Sequence, residues 1–414
     1  MSKQVVIIGG GVIGTASAHY LVKSGWRVTL IDRGQFGQGC SHGNCGFICP
    51  SHVLPLAVPG TIGRTFKALF QPNSPLSIKP RLDPTLWRWL FHFARRCNAR
   101  DMHAAGHAIQ ALLKSSRALY DDLFRTEPLE AEWEARGLLF VFLTAEAMNH
   151  YADTDGLLRE NFGLAATRYD GQALTNLEPA LKPGLAGGWH YLTDGHLRPD
   201  KLLSSWRNLL ISQGVAIHEH CEFQGFSRGE NRADAIRTST GEMSADAFVV
   251  AAGAWTPLLK LELGCRIPIQ PGKGYSITMP RPKLCPKIPL IFEEHLVAVT
   301  PMQSGYRLGS IMEFAGYDTT LRQSRLDLLR AGAGHYLQEP TAEPILETWY
   351  GWRPMTYDSL PIIGRSPALP NVYLAAGHNM LGLSMAPATG KLIAELVNGQ
   401  TLHIDPAPYS PARF

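Results

Sequence analysis

Residues 4–8, QVVII, form a largely β-branched apolar run at the start of the chain, the pattern of a strand buried on both faces. The period then changes. Over GVIGTASAHYLVKSG, residues 11–25, Val12, Ala16, Tyr20 and Leu21 fall at helical spacing on one side, and WRVTLIDR, residues 26–33, returns to strand. This predicts a β-α-β unit with glycines at its first turn. Between Pro50 and about Pro80, the prolines of PSHVLPLAVPGTIG and FQPNSPLSIKP argue against regular structure. Residues 85–125 then read as helices, and GLLFVFL at 137–143 reads as a strand. A second doubly buried run, AFVVAAGAW at 247–255, ends near a glycine. From 267 to 318, YSITMP, LVAVTP and YRLGSIM alternate with turn residues as the strands of a sheet do. The pattern closes with a strand at 372–376, VYLAA, and a helix over roughly 385–397.

Interruption and return of the α/β pattern predict discontinuous domains of mixed class, α/β and α+β. A Rossmann-type dinucleotide-binding domain is expected from residues 1–54, 196–258 and 350–414. A β-sheet substrate domain is expected from 55–195 and 259–349. Composition agrees with two joined domains: 414 residues, 45% hydrophobic and 18% charged, are too many for one ordinary core and too apolar for disorder. The net charge of +4 is spread without a long basic run, so no nucleic-acid partner is expected. Seven cysteines, an odd number, and a first strand entered without a leader point to reduced thiols in a cytoplasm. No apolar run approaches the ~20 residues that span a bilayer.

Gly9, Gly11 and Gly14 spell G-x-G-x-x-G where the first strand gives way to the first helix. There Gly9 permits the tight turn, Gly11 lets the backbone approach a pyrophosphate, and Gly14 lets helix and strand pack closely. The helix N-terminus adds N–H groups and a positive dipole. Asp32, closing the second strand, is placed to accept ribose hydroxyls and to repel a 2′-phosphate. No second fingerprint follows a strand, so one dinucleotide is expected to stay bound, with electrons drawn from the substrate. The cysteine-rich stretch after this unit raises the question of a metal. Cys40, Cys45 and Cys49 are spaced C-x4-C-x3-C, without the paired C-x2-C arms of common zinc sites, so no metal is assigned. Gly39, Ser41, Gly43 and Gly46, with Asn44, suit a loop whose amides touch phosphate or flavin, the cysteines acting as small fillers.

In order along the chain, VVIIGGGVIG, DR, CSHGNCGFICP, FVVAAGAW, GWRPMTYDSLPIIGR and AAGHNMLGLSMAPATGKLIAEL resemble the FAD-dependent amine and amino-acid oxidoreductases of the D-amino-acid oxidase superfamily, with its glutathione-reductase-like nucleotide fold. Within it the text is similar to bacterial D-amino acid dehydrogenases of the small-subunit type, down to PLAVPG, PLSIKPRLDPTLWRWLFHFARRC and GKGYSITMP. The resemblance runs nearly end to end. It implies bound FAD and oxidation of a D-amino acid to the imino acid by hydride transfer to flavin N5. Cyclic substrates such as D-proline or D-hydroxyproline are included, and electrons pass to a quinone or another acceptor. A glycine- or sarcosine-type oxidase using oxygen, and a flavin-binding protein without turnover, stand as alternatives.

The same resemblance implies site residues. FAD contacts are expected from Gly9, Gly11, Val12, Ile13, Gly14, Asp32 and Arg33, and from Ser41, His42, Asn44, Cys45, Gly46 and Phe47 in the following loop. Phe223, Gly253, Gly377, His378, Met380, Leu381 and Gly382 complete the set. Arg353, in GWRPM, is expected to hold the substrate carboxylate, since a planar fork suits bidentate recognition. Tyr275 is the candidate for a phenolic hydrogen bond to that carboxylate, set against ordinary strand packing. His52 and His378 are candidate bases for the amine, because imidazole titrates near neutral pH, set against a structural role for each. The loop TDGHLRP at 193–199 is a further candidate for shaping the pocket. Finally, 85–97, TLWRWLFHFARRC, mixes aromatics with arginines, as does a helix resting on the inner face of a membrane near a quinone pool. An aromatic helix covering the substrate pocket reads the same way.

Overall fold

The computed structural model describes residues 3–63 and 74–414. The expected β-α-β unit is present as Gln4–Ile8, Val12–Lys23 and Arg27–Ile31. Its strands pair in parallel, Val5 opposite Val28 and Ile8 opposite Ile31. They sit inside a six-stranded sheet ordered Ile362–Arg365, Val372–Ala376, Ala247–Val250, Gln4–Ile8, Arg27–Ile31, Ala216–His218. All neighbours in it are parallel except the first pair. Four of the five residues of Gln4–Ile8 are buried, which is why the run carries no polar alternation.

The first helix is covered as completely as the first strand. The C-terminal helix Gly382–Asn398 crosses it closely: a Cβ on Gly390 would lie 2.5 Å from the Ala16 carbonyl. On its other side, the long helix Ala99–Thr126 packs against Gly382–Asn398, with the Tyr120 hydroxyl donating to the Leu383 carbonyl at 2.8 Å. This helix lies in the segment assigned by sequence to the substrate domain, yet it buries Ile109, Leu112 and Leu113 in the core that holds Val5 and Ile7. An apolar stripe does not state which layer it will cover.

The second layer is a nine-stranded, mostly antiparallel sheet. Its order is Glu347–Thr356, Ile269–Met279, Gly305–Phe314, Val297–Met302, Leu290–Phe292, Leu138–Phe142, Gly187–Tyr191, Thr167–Asp170, with Leu76–Ile78 added parallel to Gly305–Phe314. The expected boundary at residue 350 therefore cuts through a strand, since Glu347–Thr356 pairs along its length with Ile269–Met279. Within the proline-rich stretch, Leu76–Ile78 is a strand where irregular structure was expected, and 64–73 lies outside the described residues. A two-stranded ribbon, Phe47–Ile48 with Gly195–His196, ties the cysteine-rich loop to TDGHLRP. Between the layers, the buried Arg307 donates to the carbonyls of His42 (3.3 Å) and Asn44 (2.8 Å), pinning that loop to the nine-stranded sheet.

Helix Pro84–Arg96 starts on Asp83, whose carboxylate accepts from the Thr85 and Leu86 amides, with Pro84 at the first turn. Leu86 and Trp89 face inward, Trp89 Nε1 donating to the Met355 carbonyl at 3.0 Å. Trp87 and Phe91 face solvent, 55% and 59% exposed. The apolar residues fall on several sides in sequence because the helix has two apolar faces, and only one is covered among the described residues. No described helix is long and apolar enough to cross a membrane.

Candidate functional site

A cavity of about 610 Å3 runs from the glycine turn of the six-stranded sheet to the face of the nine-stranded sheet. Each part of its wall traces to a local cause. Gly11 is the N-cap of the first helix, in extended conformation and without a side chain of its own to cap it, and Gly11, Val12 and Ile13 line the cavity. A Cβ on Gly14 would stand 1.9 Å from the Gly9 carbonyl oxygen, so helix and strand meet there at backbone distance. Asp32 closes the turn from the second strand, its carboxylate accepting from the amides of Gly10 (2.7 Å) and Gly34 (2.8 Å). Ser41 Oγ accepts the Val12 amide at 3.0 Å, joining the cysteine-rich loop to the helix start.

Most of the sequence-derived candidates line this one cavity: Gly9, Gly11, Val12, Ile13, Asp32, Arg33, Ser41, Asn44, Cys45, Gly46, Phe47, Phe223, Gly253, His378, Met380, Leu381, Gly382, His52, Tyr275 and Arg353. Three stand behind the wall. Gly14 serves packing, and Gly377, at φ +75°, turns the chain against Thr356. His42 Nε2 pairs with Glu347 at 2.6 Å, so the side chain braces the loop against the sheet. Arg33 stacks on Trp255, 4.1 Å from the ring centre.

Arg353 is built into its place. Gly274, two residues along the neighbouring strand from Gly272, which pairs with Arg353, leaves the space the guanidinium fills, since a Cβ there would stand 2.5 Å from it. Nη1 and Nη2 donate to the carbonyls of Ile311 (2.6 Å) and Ser310 (3.2 Å). Those two residues take φ of +60° and +136°, a region L side chains rarely enter and β-branched Ile311 least of all, and their carbonyls meet the arginine. Burial lowers the pKa of Arg353, and no carboxylate pairs with it among the described residues. A half-buried guanidinium on a cavity wall with neutral partners alone favours an incoming anion.

Tyr275 is placed differently from the sequence expectation. Its hydroxyl donates to Glu313 Oε2 at 2.7 Å, and Glu313 is held by Arg322 at 3.1 Å, so the phenolic proton is committed and the ring serves as wall. Burial lowers His378 to about 3 and His52 to about 4, so both rings are neutral at neutral pH and neither stores a proton there. His378 Nε2 meets Thr389 Oγ1 at 3.0 Å.

Burial pushes Cys40 up to about 11 and Cys49 well above its ordinary value, and all seven cysteines are free. Cys49, His52 and Asp194 do bring ligand-type atoms within 4.8 Å of one another. Both carboxylate oxygens of Asp194 accept hydrogen bonds from Ser51, one from its amide and one from its hydroxyl. Sequence reasoning missed Ser51 and Asp194 as individuals, although TDGHLRP contains the second. It also missed Trp349, Trp352 and Asn379 on the wall; tryptophans in a strand carry no local mark distinguishing a site from a core.

The wall fits FAD. It joins a helix start and an acidic strand end to two buried nitrogens without protein partners, His378 Nδ1 and Trp352 Nε1, both on cavity-lining residues. Comparison with known proteins agrees. The family model DAO, FAD dependent oxidoreductase, matches residues 4–396. The chain is 32% identical to proteins named D-amino acid dehydrogenase from Granulibacter bethesdensis and Xanthobacter autotrophicus, over 99% of each chain in both cases. Its fold is similar to glycine oxidase from Geobacillus kaustophilus (TM-score 0.79, 22% identity, 100% of both chains). It is also similar to L-proline dehydrogenase from P. horikoshii (TM-score 0.74, 23% identity, 100% of this chain and 98% of that one). Matched by this family over nearly its whole length and sharing about a third of its residues with full-length relatives, the chain belongs to the FAD-dependent oxidoreductase (DAO) family and is an FAD-dependent enzyme.

Proposed function

We propose that the protein is an amino acid dehydrogenase that oxidises the α-carbon of a D-amino acid to the imino acid, cyclic substrates such as D-proline and D-hydroxyproline included. The observation that carries this reading is Arg353, a half-buried cation on the cavity wall whose partners are two neutral carbonyls. A substrate carboxylate is the anion it suits, through a bidentate fork. FAD, when bound, supplies the two-electron acceptor for the hydride of the α-carbon. The protein's part is orientation: Arg353 anchors one end of the substrate, while Tyr275, Trp349 and Ile291 provide apolar wall. The names of the two dehydrogenase relatives support the D configuration.

The test is anaerobic flavin bleaching by D- and L-amino acids, including the proline and hydroxyproline isomers, followed by air or a quinone analogue. D-substrates are expected to bleach the flavin, and quinone to restore it faster than air. Fast recovery in air with peroxide selects the oxidase reading, and bleaching by L-isomers alone overturns the stereochemistry.

The acceptor is a membrane quinone in this reading, reached from the helix Pro84–Arg96. Trp87, Phe91 and the fully exposed Leu82 form an outward apolar face beside exposed Arg88 and Arg95, the chemistry of an anionic bilayer surface on the cytoplasmic side. Replacing Trp87 and Phe91 together by serine is expected to weaken binding to anionic vesicles about tenfold or more. Turnover with a soluble acceptor stays unchanged, since Leu86 and Trp89 still seat the helix. Flotation with vesicles decides it: equal binding by the variant, or none by the parent, removes the membrane reading.

A further inference from the structure

Oxidation of an amino acid to an iminium leaves one proton to place. The substrate enters as an ammonium. Its nitrogen gives up a proton, the α-carbon gives up hydride to FAD, and the nitrogen lone pair closes the C=N bond. The hydride has an acceptor; the proton needs one that connects the cavity to water. His378 leads nowhere, since Thr389 behind it is buried.

His52 differs in what stands behind it. Its ring lines the cavity, and Nδ1 lies 3.4 Å from Ser51 Oγ, at the limit of hydrogen-bond reach. Ser51 Oγ donates to Asp194 Oδ2 at 2.5 Å, and the Ser51 amide donates to Oδ1 at 3.0 Å. Thr193 Oγ1 reaches the same Oδ1 at 3.3 Å. Ser51 is 5% exposed and Asp194 is fully buried, whereas Thr193 is exposed to solvent. The four groups thus run in file from the cavity wall to the surface.

We infer that His52, Ser51, Asp194 and Thr193 form a proton wire that carries the ammonium proton of the substrate from the cavity to solvent. His52 Nε2 takes the proton as Nδ1 passes its own to Ser51 Oγ. Ser51 releases its hydroxyl proton to Asp194 Oδ2, and the neutral carboxyl hands it to water beside Thr193. His52 is the group on the cavity side, and Ser51 and Asp194 act through it. The inference rests on the amino-acid reading above.

The electrostatics suit each role. Burial raises the Asp194 carboxyl to about 7, with the Ser51 bonds, Thr193 and Arg117 pulling it back, so it both accepts and releases a proton near neutral pH. His52, held neutral by burial, passes a proton without retaining it. Other titratable groups face this file: Arg117, from the long helix, donates to the Thr193 carbonyl, and Tyr191 and the Cys49 thiol flank Asp194. Both of the latter hold their protons above neutral pH, so Asp194 is the group that titrates.

Ser51→Ala and Asp194→Asn are expected to lower kcat/KM at pH 7 about ten- to hundredfold, with Ser51→Thr restoring most of the rate. The rise of kcat/KM as Asp194 ionises near pH 7 should vanish in Asp194→Asn. A measurement apart from turnover is infrared titration of the parent protein, which should show a buried carboxylic-acid band lost as pH rises through about 7 and absent from Asp194→Asn. A parent protein without that band overturns the wire, as does Ser51→Ala turning over at the parental rate with an unchanged pH profile. Should either variant fail to hold flavin, the infrared titration and Ser51→Thr decide alone. If no amino acid bleaches the parent flavin while the carboxyl band titrates as stated, the substrate reading fails and not the wire's chemistry.

Discussion

Arg353→Met should retain its flavin yet be reduced by the amino acid about thirty- to several-thousand-fold less efficiently, the cost of 2–5 kcal/mol for removing one partner of a buried charge pair. Methionine fills much of the volume, so the loss reports the missing fork and not a cavity. Arg353→Lys should recover only part, because an ammonium cannot hold both carboxylate oxygens in one plane. The variant also loses the bonds to Ser310 and Ile311, whose unusual backbone is held in part by the guanidinium. Flavin content and melting temperature therefore accompany anaerobic reduction kinetics. A folded, flavin-loaded Arg353→Met reduced at the parental rate would remove carboxylate recognition from this residue and with it the main support for an amino acid substrate.

Gly14→Ala should abolish the flavin-loaded fold, whereas Gly11→Ala should fold and hold FAD weakly. The two glycines belong to one fingerprint but face different matter. A Cβ on Gly14 meets the Gly9 carbonyl oxygen at 1.9 Å, a backbone atom that moves only if the first helix lifts from the first strand. The same helix is pressed from the far side at Gly390, so it has nowhere to go. A Cβ on Gly11 meets only Ser41 Oγ, at 3.4 Å, and otherwise projects toward the cavity. Flavin absorbance per protein, with circular dichroism, separates the outcomes. A stable yellow Gly14→Ala protein would mean that the helix and strand pack more loosely than this geometry has them.

The legible parts of the site were those encoded locally. A buried strand, three spaced glycines, a helix and an acid at the end of the next strand lie within Gln4–Asp32, and each constrains the next through backbone geometry, so the cofactor half could be read in order. The proposed substrate half was suggested only by resemblance. Arg353 stood out for its place in GWRPM, not for any pattern that distinguishes a half-buried arginine from a surface one. At His42 and Tyr275 the residue type told only part. Each residue type suited the role expected of it, but Glu347 and Glu313 reach them from other strands and engage the polar atoms.

Distance along the chain separates what the sequence determined by itself from what the tertiary structure decided. Periodicity and turn chemistry settled the β-α-β start, the doubly buried strands and the two-layer class, because these follow from which residues within about ten positions must avoid water. The tertiary structure decided which layer the long helix covers, where Glu347–Thr356 pairs, and which polar groups meet at the cavity. Ser51 and Asp194 are 143 positions apart, and they meet only because Phe47–Ile48 pairs with Gly195–His196. A hydrogen bond between such residues leaves no periodic trace in either segment, since its partner is chosen by the packing of the layers and not by the neighbours of either residue.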